Sequence, residues 1–137
     1  MFPSDHLPRR IIKYPTCFIA NIDSSSEPGS HWVAFFLSFP MKLEFFDSYG
    51  NAPAFYEGPI SDFVSNYTYV DFNPMTLQSN VTAVCGQYCI YYLYARCRGL
   101  PLKTIVSSFI NNHICNDKRV YNFVWKHFKI RENFYQY

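Results

Sequence analysis

The stretch HWVAFFLSFPMKLEFFDSYG, residues 31–50, decides the fold. Two apolar, β-prone runs, Trp32–Phe39 and Lys42–Phe46, stand on either side of a short break at Pro40 and Met41. Strand-forming runs that flank so short a connection predict an antiparallel hairpin. In such a hairpin the start of the first strand lies beside the end of the second strand.

The segments next to the hairpin predict further strands and one short helix. Residues 16–22 form another β-prone run, and the loop SSSEPGS, residues 24–30, separates this run from the hairpin. Residues 60–67 repeat apolar side chains at helical spacing, which predicts a short helix, and residues 68–72 predict one more strand. The sheet is therefore expected to be small and mostly antiparallel.

The second half of the chain is predicted to be helical. The longest candidate covers residues 83–97 and ends before Gly99, and it should be buried because it is apolar nearly all round. Residues 102–112 and 118–128 have the periodicity of amphipathic helices. Strands that precede helices, with a buried helix between them, predict an α+β fold in a single domain, residues 1–137.

Composition and charge limit the classes of protein that fit. A chain of 137 residues that is 49% hydrophobic should fold around one core. The formal net charge is only +2 and the charges are scattered, so DNA is a weakly supported partner. No run reaches the ~18 apolar residues of a membrane span, and the start MFPSDHLPRR lacks the apolar core of a signal peptide. The protein is expected to be soluble and intracellular, with no membrane partner.

The cysteines point to a compartment and to one reactive group. Five cysteines at irregular spacing indicate a reduced compartment rather than a disulfide framework. Cys85 opens the long helix, and a helix N-terminus favours a thiolate there. Gly86 follows without a side chain and leaves the backbone open to a substrate. The alternative role for such a cysteine is that of a small buried hydrophobe.

A nucleophilic cysteine needs an imidazole as base, and the imidazole needs an acceptor on its other nitrogen. His31 opens a strand directly after a loop, where its side chain can face a cleft, whereas the other three histidines lie in the irregular N-terminus or near helix ends. Asp47 ends the partner strand, so the hairpin should place it beside His31. The alternatives are a surface histidine and a turn-forming aspartate.

Gln78 is the candidate for oxyanion stabilisation. It lies seven residues before Cys85, in a polar loop that leads to the start of the long helix. Its side-chain amide could donate to an oxyanion beside the backbone N–H groups of Cys85 and Gly86. The alternative is a solvated loop glutamine.

Six residues together carry a family resemblance: His31, Trp32, Asp47, Gln78, Cys85 and Gly86. Their order and approximate spacing resemble the adenain-like and ubiquitin-like-protein-specific cysteine peptidases, over residues 16–99. The step from Gln78 to Cys85 is similar to that of adenovirus maturation proteases, and the Asp47-Ser48-Tyr49-Gly50 segment is similar to that of Polinton (Maverick) proteases. The resemblance implies a cysteine-peptidase fold, with Trp32 packed near the catalytic pair as a lining residue.

The chain departs from adenovirus enzymes in two respects. Those enzymes usually have Glu at the place of Asp47, and either carboxylate can orient an imidazole. They are also stimulated by DNA and by a peptide tethered through a disulfide, whereas this chain has no cysteine between Cys17 and Cys85 for such a tether. No metal or organic cofactor is expected, and a peptide or DNA activator is weakly supported.

The resemblance implies an endopeptidase that cuts next to glycine in capsid or core precursors of a virus or viral-like element. We expect such an enzyme to be a monomer in the host nucleus and the virion. Three alternatives stay open: a peptidase acting on ubiquitin or ubiquitin-like proteins, an acyltransferase with the same triad, and a binding protein whose triad is vestigial. No structure is assigned to the tail, residues 131–137.

Overall fold

The computed structural model describes residues 1–129 and Phe134, and its centre is a four-stranded mixed sheet. The strands lie side by side in chain order: β1 (Thr16–Asn21), β2 (Trp32–Phe39), β3 (Lys42–Phe46) and β4 (Tyr69–Phe72). The first three strands pair antiparallel, which confirms the predicted hairpin, while β4 runs parallel to β3. The parallel pairing arises because a helical crossover, and not a tight turn, connects these two strands.

Four helices accompany the sheet: α1 (Pro59–Val64), α2 (Cys85–Cys97), α3 (Leu102–Ser107) and α4 (His113–Phe128). Two short 3₁₀ turns, Ser4–His6 and Pro53–Phe55, had no clear signal in the sequence. The α+β class is confirmed. None of the helices in the described part of the chain has the length and apolarity to cross a membrane. The tail at 131–137 falls outside the described residues, apart from Phe134.

The last two helices differ from their predicted bounds. α3 ends at Ser107 rather than at residue 112, and α4 begins at His113 rather than at residue 118. The side chain of Asn112 explains the early start of α4, because its Oδ1 accepts a hydrogen bond of 3.1 Å from the backbone N–H of Cys115. Apolar periodicity alone does not reveal this cap.

β2 is a continuous apolar run because both faces of the sheet are covered. Val33, Phe35 and Leu37 point to one side, where α1 closes the core. Ala34 and Phe36 point to the opposite side and pack in the cluster that contains α2. The alternation of side chains along a strand thus places every second residue of β2 against a different helix.

α2 is the central helix, as its composition predicted. No residue from Cys85 to Arg96 is fully exposed. Tyr92 stacks on Phe46 of β3 with ring centroids 4.6 Å apart, and farther along the helix Arg96 forms an ion pair of 2.9 Å with Glu44. These contacts fix the helix across the sheet, so its first residue lies near the start of β2.

Candidate active site

His31 and Asp47 meet at the end of the hairpin. His31 precedes β2 and Asp47 follows β3, and the antiparallel register brings these two positions together. Imidazole Nε2 lies 2.7 Å from Asp47 Oδ1, and both side chains are buried. Because Nε2 is engaged by the carboxylate, Nδ1 is the ring nitrogen left for another partner.

Asp47 is fixed by more than its contact with His31. Its Oδ1 also accepts the backbone N–H of Tyr49 at 2.9 Å, and its Oδ2 accepts the hydroxyl of Tyr56 at 2.5 Å. Burial alone would raise the pKa of Asp47, but the hydrogen bond and charge of His31, with these two donors, lower it below the ordinary value of 3.8. Asp47 is therefore an anion at neutral pH.

The backbone of Asp47 is held by Asn73, which follows β4. Asn73 Oδ1 accepts the Asp47 backbone N–H at 3.0 Å, and its Nδ2 donates to the Asp47 carbonyl at 2.7 Å. Neither Asn73 nor Tyr56 was identified from the sequence. Tyr56 follows Asp47 by nine residues and Asn73 follows it by 26, and no spacing pattern connects either residue to Asp47.

Cys85 is the first residue of α2, and it is 9% exposed. Its thiol forms a side-chain hydrogen bond with His31, which completes a line from carboxylate to imidazole to sulfur. Burial acts to lower the pKa of His31, but the hydrogen bonds and charges of Asp47 and Cys85 outweigh it and raise the pKa to about 9. The imidazole is thus protonated at neutral pH, beside a sulfur at a helix N-terminus.

Gly86 and Trp32 form one wall of the site. A Cβ placed on Gly86 would lie 3.8 Å from Cδ1 of Trp32, so the indole packs against the first turn of α2. A cavity of about 110 Å³ lies beside these two residues, lined also by Ile90. The first backbone bond at this end of α2 runs from Tyr88 N–H to the carbonyl of Val84, so the N–H groups of Cys85 and Gly86 precede the helical ladder.

Gln78 is buried, with 1% of its surface exposed, and is therefore not a solvated loop residue. Its Oε1 accepts the hydroxyl of Ser48 at 2.6 Å, and its Nε2 donates to the carbonyl of Thr82 at 3.0 Å. A side-chain amide nitrogen carries two hydrogens, so one N–H of Gln78 is left for a further acceptor. Ser48 and Thr82, which fix this amide, were not identified from the sequence.

The other chemical groups lie apart from this cluster. All five cysteines are free thiols, and Cys89 donates to the carbonyl of Trp32 at 3.4 Å from inside α2. Within residues 1–129 and Phe134, no three or more His, Cys, Asp or Glu side chains are arranged to hold a metal ion. The geometry of the site is that of a thiol, an imidazole and a carboxylate in sequence.

No protein-family model matches the chain, but comparison with known proteins finds similarities of sequence and of structure. A protein of Acanthamoeba polyphaga mimivirus, "Putative thiol protease R355", is 31% identical over 109 residues. The match covers 74% of this chain but only 36% of the mimivirus protein. The crystal structure of the ASFV pS273R protease superposes with a TM-score of 0.52 at 24% identity, over 76% of this chain and 42% of that one.

The structural similarity agrees with the observed fold, and the name of the mimivirus protein agrees with a site that contains a thiol. The chain shares its α+β fold with the ASFV protease, and it shares sequence with a protein named as a thiol protease. It spans about a third of the length of the mimivirus relative and less than half of the ASFV chain. Neither similar protein is named an adenain, so the similarities support viral proteases, and the adenain-like resemblance stays a prediction.

Proposed function

We propose that this chain is a cysteine peptidase in which Cys85 is the nucleophile, His31 the general base and acid, and Asp47 the group that orients the imidazole. The observation that carries the proposal is the buried line of carboxylate, imidazole and thiol, in which His31 lies 2.7 Å from Asp47 and hydrogen-bonds Cys85. An imidazolium with a pKa of about 9 stabilises a thiolate beside it at neutral pH.

The proposed reaction is acyl transfer to sulfur followed by hydrolysis. The Cys85 thiolate attacks the scissile carbonyl, and the charge on its oxygen is stabilised by the free amide N–H of Gln78 and the backbone N–H groups of Cys85 and Gly86. His31 gives its proton to the leaving amine as the tetrahedral intermediate collapses to a thioester. Neutral His31 then takes a proton from water, which attacks the thioester and releases the acid and the thiol.

The substrate class we propose is an extended peptide with small residues, such as glycine, next to the scissile bond. Gly86 has no side chain and Trp32 packs beside it. The preference for glycine rests on the resemblance to adenain-like enzymes, which cleave next to glycine through a narrow channel. An adenain-like enzyme acting on capsid or core precursors in the host nucleus and the virion fits this proposal, and the viral origin of both similar proteins supports it. We propose a monomer that needs no metal or organic cofactor.

A peptidase that acts on ubiquitin-like proteins is the second candidate. Such a channel would also accept the glycine pair at the end of a ubiquitin-like protein, so both substrate classes are supported equally. A panel containing a capsid-type peptide and a ubiquitin-like precursor separates the two. Cleavage of the precursor alone would move the proposal to the second class.

The test compares wild type with Cys85→Ala on a fluorogenic peptide ending in Leu-x-Gly-Gly, while iodoacetamide labelling is mapped by mass spectrometry. We expect turnover to disappear in Cys85→Ala and Cys85 to be alkylated first in the wild type. Cys115→Ala is the matched control, because Cys115 is an exposed thiol on α4, and it should keep full turnover. Equal alkylation of Cys85 and Cys115, with no peptide or protein cut, would contradict the proposal.

A further inference from the structure

A second buried carboxylate lies outside the proposed triad. Asp117 belongs to α4 and is 0% exposed. It accepts hydrogen bonds from three donors: the Thr82 hydroxyl at 2.7 Å, the Tyr88 hydroxyl at 2.8 Å and the backbone N–H of Ser79 at 3.2 Å. All three donors belong to the segment that leads to Cys85 or to the first turns of α2. Asp117 therefore fastens the loop before the nucleophile to two helices.

Thr82 connects this carboxylate to the proposed oxyanion donor. Its hydroxyl donates to Asp117 Oδ2, while its backbone carbonyl accepts the side-chain N–H of Gln78 at 3.0 Å. The position of Thr82 therefore sets the direction of one N–H of Gln78. Because the amide is planar, the direction of the first N–H also fixes the direction of the second.

The neighbouring residue on α4 supports the same loop from the other side of Gln78. Asn116 is buried, and its Nδ2 donates to the carbonyl of Leu77 at 3.2 Å and to that of Ile110 at 2.8 Å. The chain is thus held immediately before Gln78 by Asn116 and four residues after it by Asp117. Such paired support on a rigid helix is what a preorganised hydrogen-bond donor requires.

We propose that Asp117 is a positioning residue for the peptidase reaction, acting through Thr82 to aim the amide of Gln78 at the oxyanion. The inference rests on the proposed function and adds a role for α4, which contributes nothing to the triad itself. Asp117 touches neither the substrate nor the reacting atoms. Its effect should therefore appear only in steps that create an oxyanion.

Asp117→Asn is the first variant, because it preserves shape and removes one acceptor oxygen. Thr82 and Tyr88 donate to different oxygens of Asp117, so with asparagine one of the two hydroxyls faces an NH₂ group. We expect kcat on the peptide to fall about 10- to 100-fold with KM little changed, a smaller loss than the ~10²–10³-fold of removing an oxyanion donor outright.

Alkylation of Cys85 by iodoacetamide provides the readout that separates positioning from general damage. Attack on iodoacetamide displaces iodide at a saturated carbon and forms no oxyanion. The alkylation rate of Cys85 and its pH profile should therefore stay within about twofold of wild type in Asp117→Asn. A parallel loss of alkylation and peptide cleavage would indicate disruption of the whole site and overturn the inference.

Combination with Gln78→Ala tests the path through Gln78. If Asp117 acts through this amide, Asp117→Asn should add little to the loss already caused by Gln78→Ala. Losses that multiply, or a Gln78→Ala variant with wild-type turnover, would overturn the inference. Glu44→Gln is the matched control, because Glu44 is also a buried carboxylate but pairs with Arg96 away from this loop, and its effect should be the same in both backgrounds.

Variants of Thr82 keep the inference testable if Asp117→Asn does not fold. Thr82→Ser retains the hydroxyl and should retain turnover, whereas Thr82→Val should reproduce the loss expected for Asp117→Asn. Equal turnover in these two variants would overturn the inference. If the wild type cleaves no peptide and shows no preferential labelling of Cys85, the proposed function itself is wrong. If the wild type is active and the variants are unaffected, only the role of Asp117 is wrong.

Discussion

Asp47 and Asp117 are two fully buried aspartates in one small protein, and they behave in opposite ways. Each accepts a tyrosine hydroxyl, from Tyr56 at 2.5 Å and from Tyr88 at 2.8 Å respectively, and each accepts a backbone N–H. Only Asp47 has a group that becomes a cation, the imidazole of His31, as a direct hydrogen-bond partner. The pKa of Asp47 is lowered, whereas that of Asp117 is raised.

The difference shows that the partner, and not the depth of burial, decides the direction in which the pKa of a buried carboxyl group moves. Burial is the largest single influence on both carboxyl groups, and it acts to raise the pKa of each. The His31 imidazolium overcomes it at Asp47. At Asp117 the bonds from Thr82, Tyr88 and Ser79 and the more distant charge of His113 lower the pKa without overcoming burial. One aspartate is therefore suited to stabilising a cation and the other to fixing a loop.

The largest effect should come from Asp47→Asn, which removes the negative charge beside His31. We expect kcat/KM to fall on the order of 10³- to 10⁴-fold, as for the comparable change in a serine protease triad. The imidazolium then loses its main stabilisation, so the alkaline limb of the pH–rate profile should move from near pH 9 to lower pH. Residual activity with an unmoved alkaline limb would show that Asp47 does not control His31.

The two aspartates should contribute to the free energy of unfolding at neutral pH with opposite signs. The lowered pKa of Asp47 stabilises the fold above 3.8, and this stabilisation is lost as the pH falls through the folded value. The raised pKa of Asp117 gives a cost at neutral pH that is relieved as the pH falls through the folded value towards 3.8.

Urea unfolding of wild type, Asp47→Asn and Asp117→Asn from pH 7 to pH 3 measures both contributions. Between pH 7 and pH 4 the stability of wild type relative to Asp117→Asn should rise. The stability of wild type relative to Asp47→Asn should not fall over this range, because His31 loses its carboxylate partner in the variant and is costly to protonate there, and it should decline only below about pH 4. A difference from Asp117→Asn that falls between pH 7 and pH 4, or a difference from Asp47→Asn that still rises below pH 4, would refute the assigned signs.

Tyr56→Phe should have a smaller effect of opposite sign on the alkaline limb. Loss of the hydroxyl leaves Asp47 Oδ2 without this donor, so the carboxylate becomes more basic and stabilises the His31 imidazolium more strongly. We expect the limb to move to higher pH and the free energy of unfolding to fall by about 1–2 kcal/mol. The same assay as for Asp47→Asn measures this shift. A shift to lower pH would contradict the inference that Tyr56 acts on the basicity of Asp47 and, through it, on the pKa of His31.

Glu44→Gln should have the smallest effect on activity. Glu44 pairs with Arg96, whose guanidinium lies 4.3 Å from the centre of the Phe36 ring, in a part of the sheet remote from His31. We expect a loss of about 1–2 kcal/mol in unfolding free energy, because the pair is partly accessible, and kcat/KM within twofold of wild type. A large loss of activity would mean that α2 transmits strain to Cys85.

The elements nearest the hairpin were the easiest to predict. Apolar runs around Pro40 and Met41 predicted β2 and β3 with their observed bounds, and the hairpin predicted that His31 and Asp47 would meet. Local signals suffice there because an antiparallel pair joined by a short turn has little freedom in register. The bounds of α3 and α4 were predicted less well, since the Asn112 cap, and not apolar spacing, determines where α4 begins.

The sequence by itself determined the α+β order, the hairpin, the buried helix near whose start Cys85 lies, and the residue types of the candidate site. Only the tertiary structure decided that Tyr56 and Asn73 secure Asp47 and that Asp117 on α4 secures the loop of Gln78. These contacts join residues that are 9, 26 and 35 positions apart, and no periodicity encodes them. They depend on how buried polar groups find partners once the core has formed, because each buried polar group left unpaired costs about 1–3 kcal/mol, a sizeable part of a typical folding free energy of about 5–15 kcal/mol.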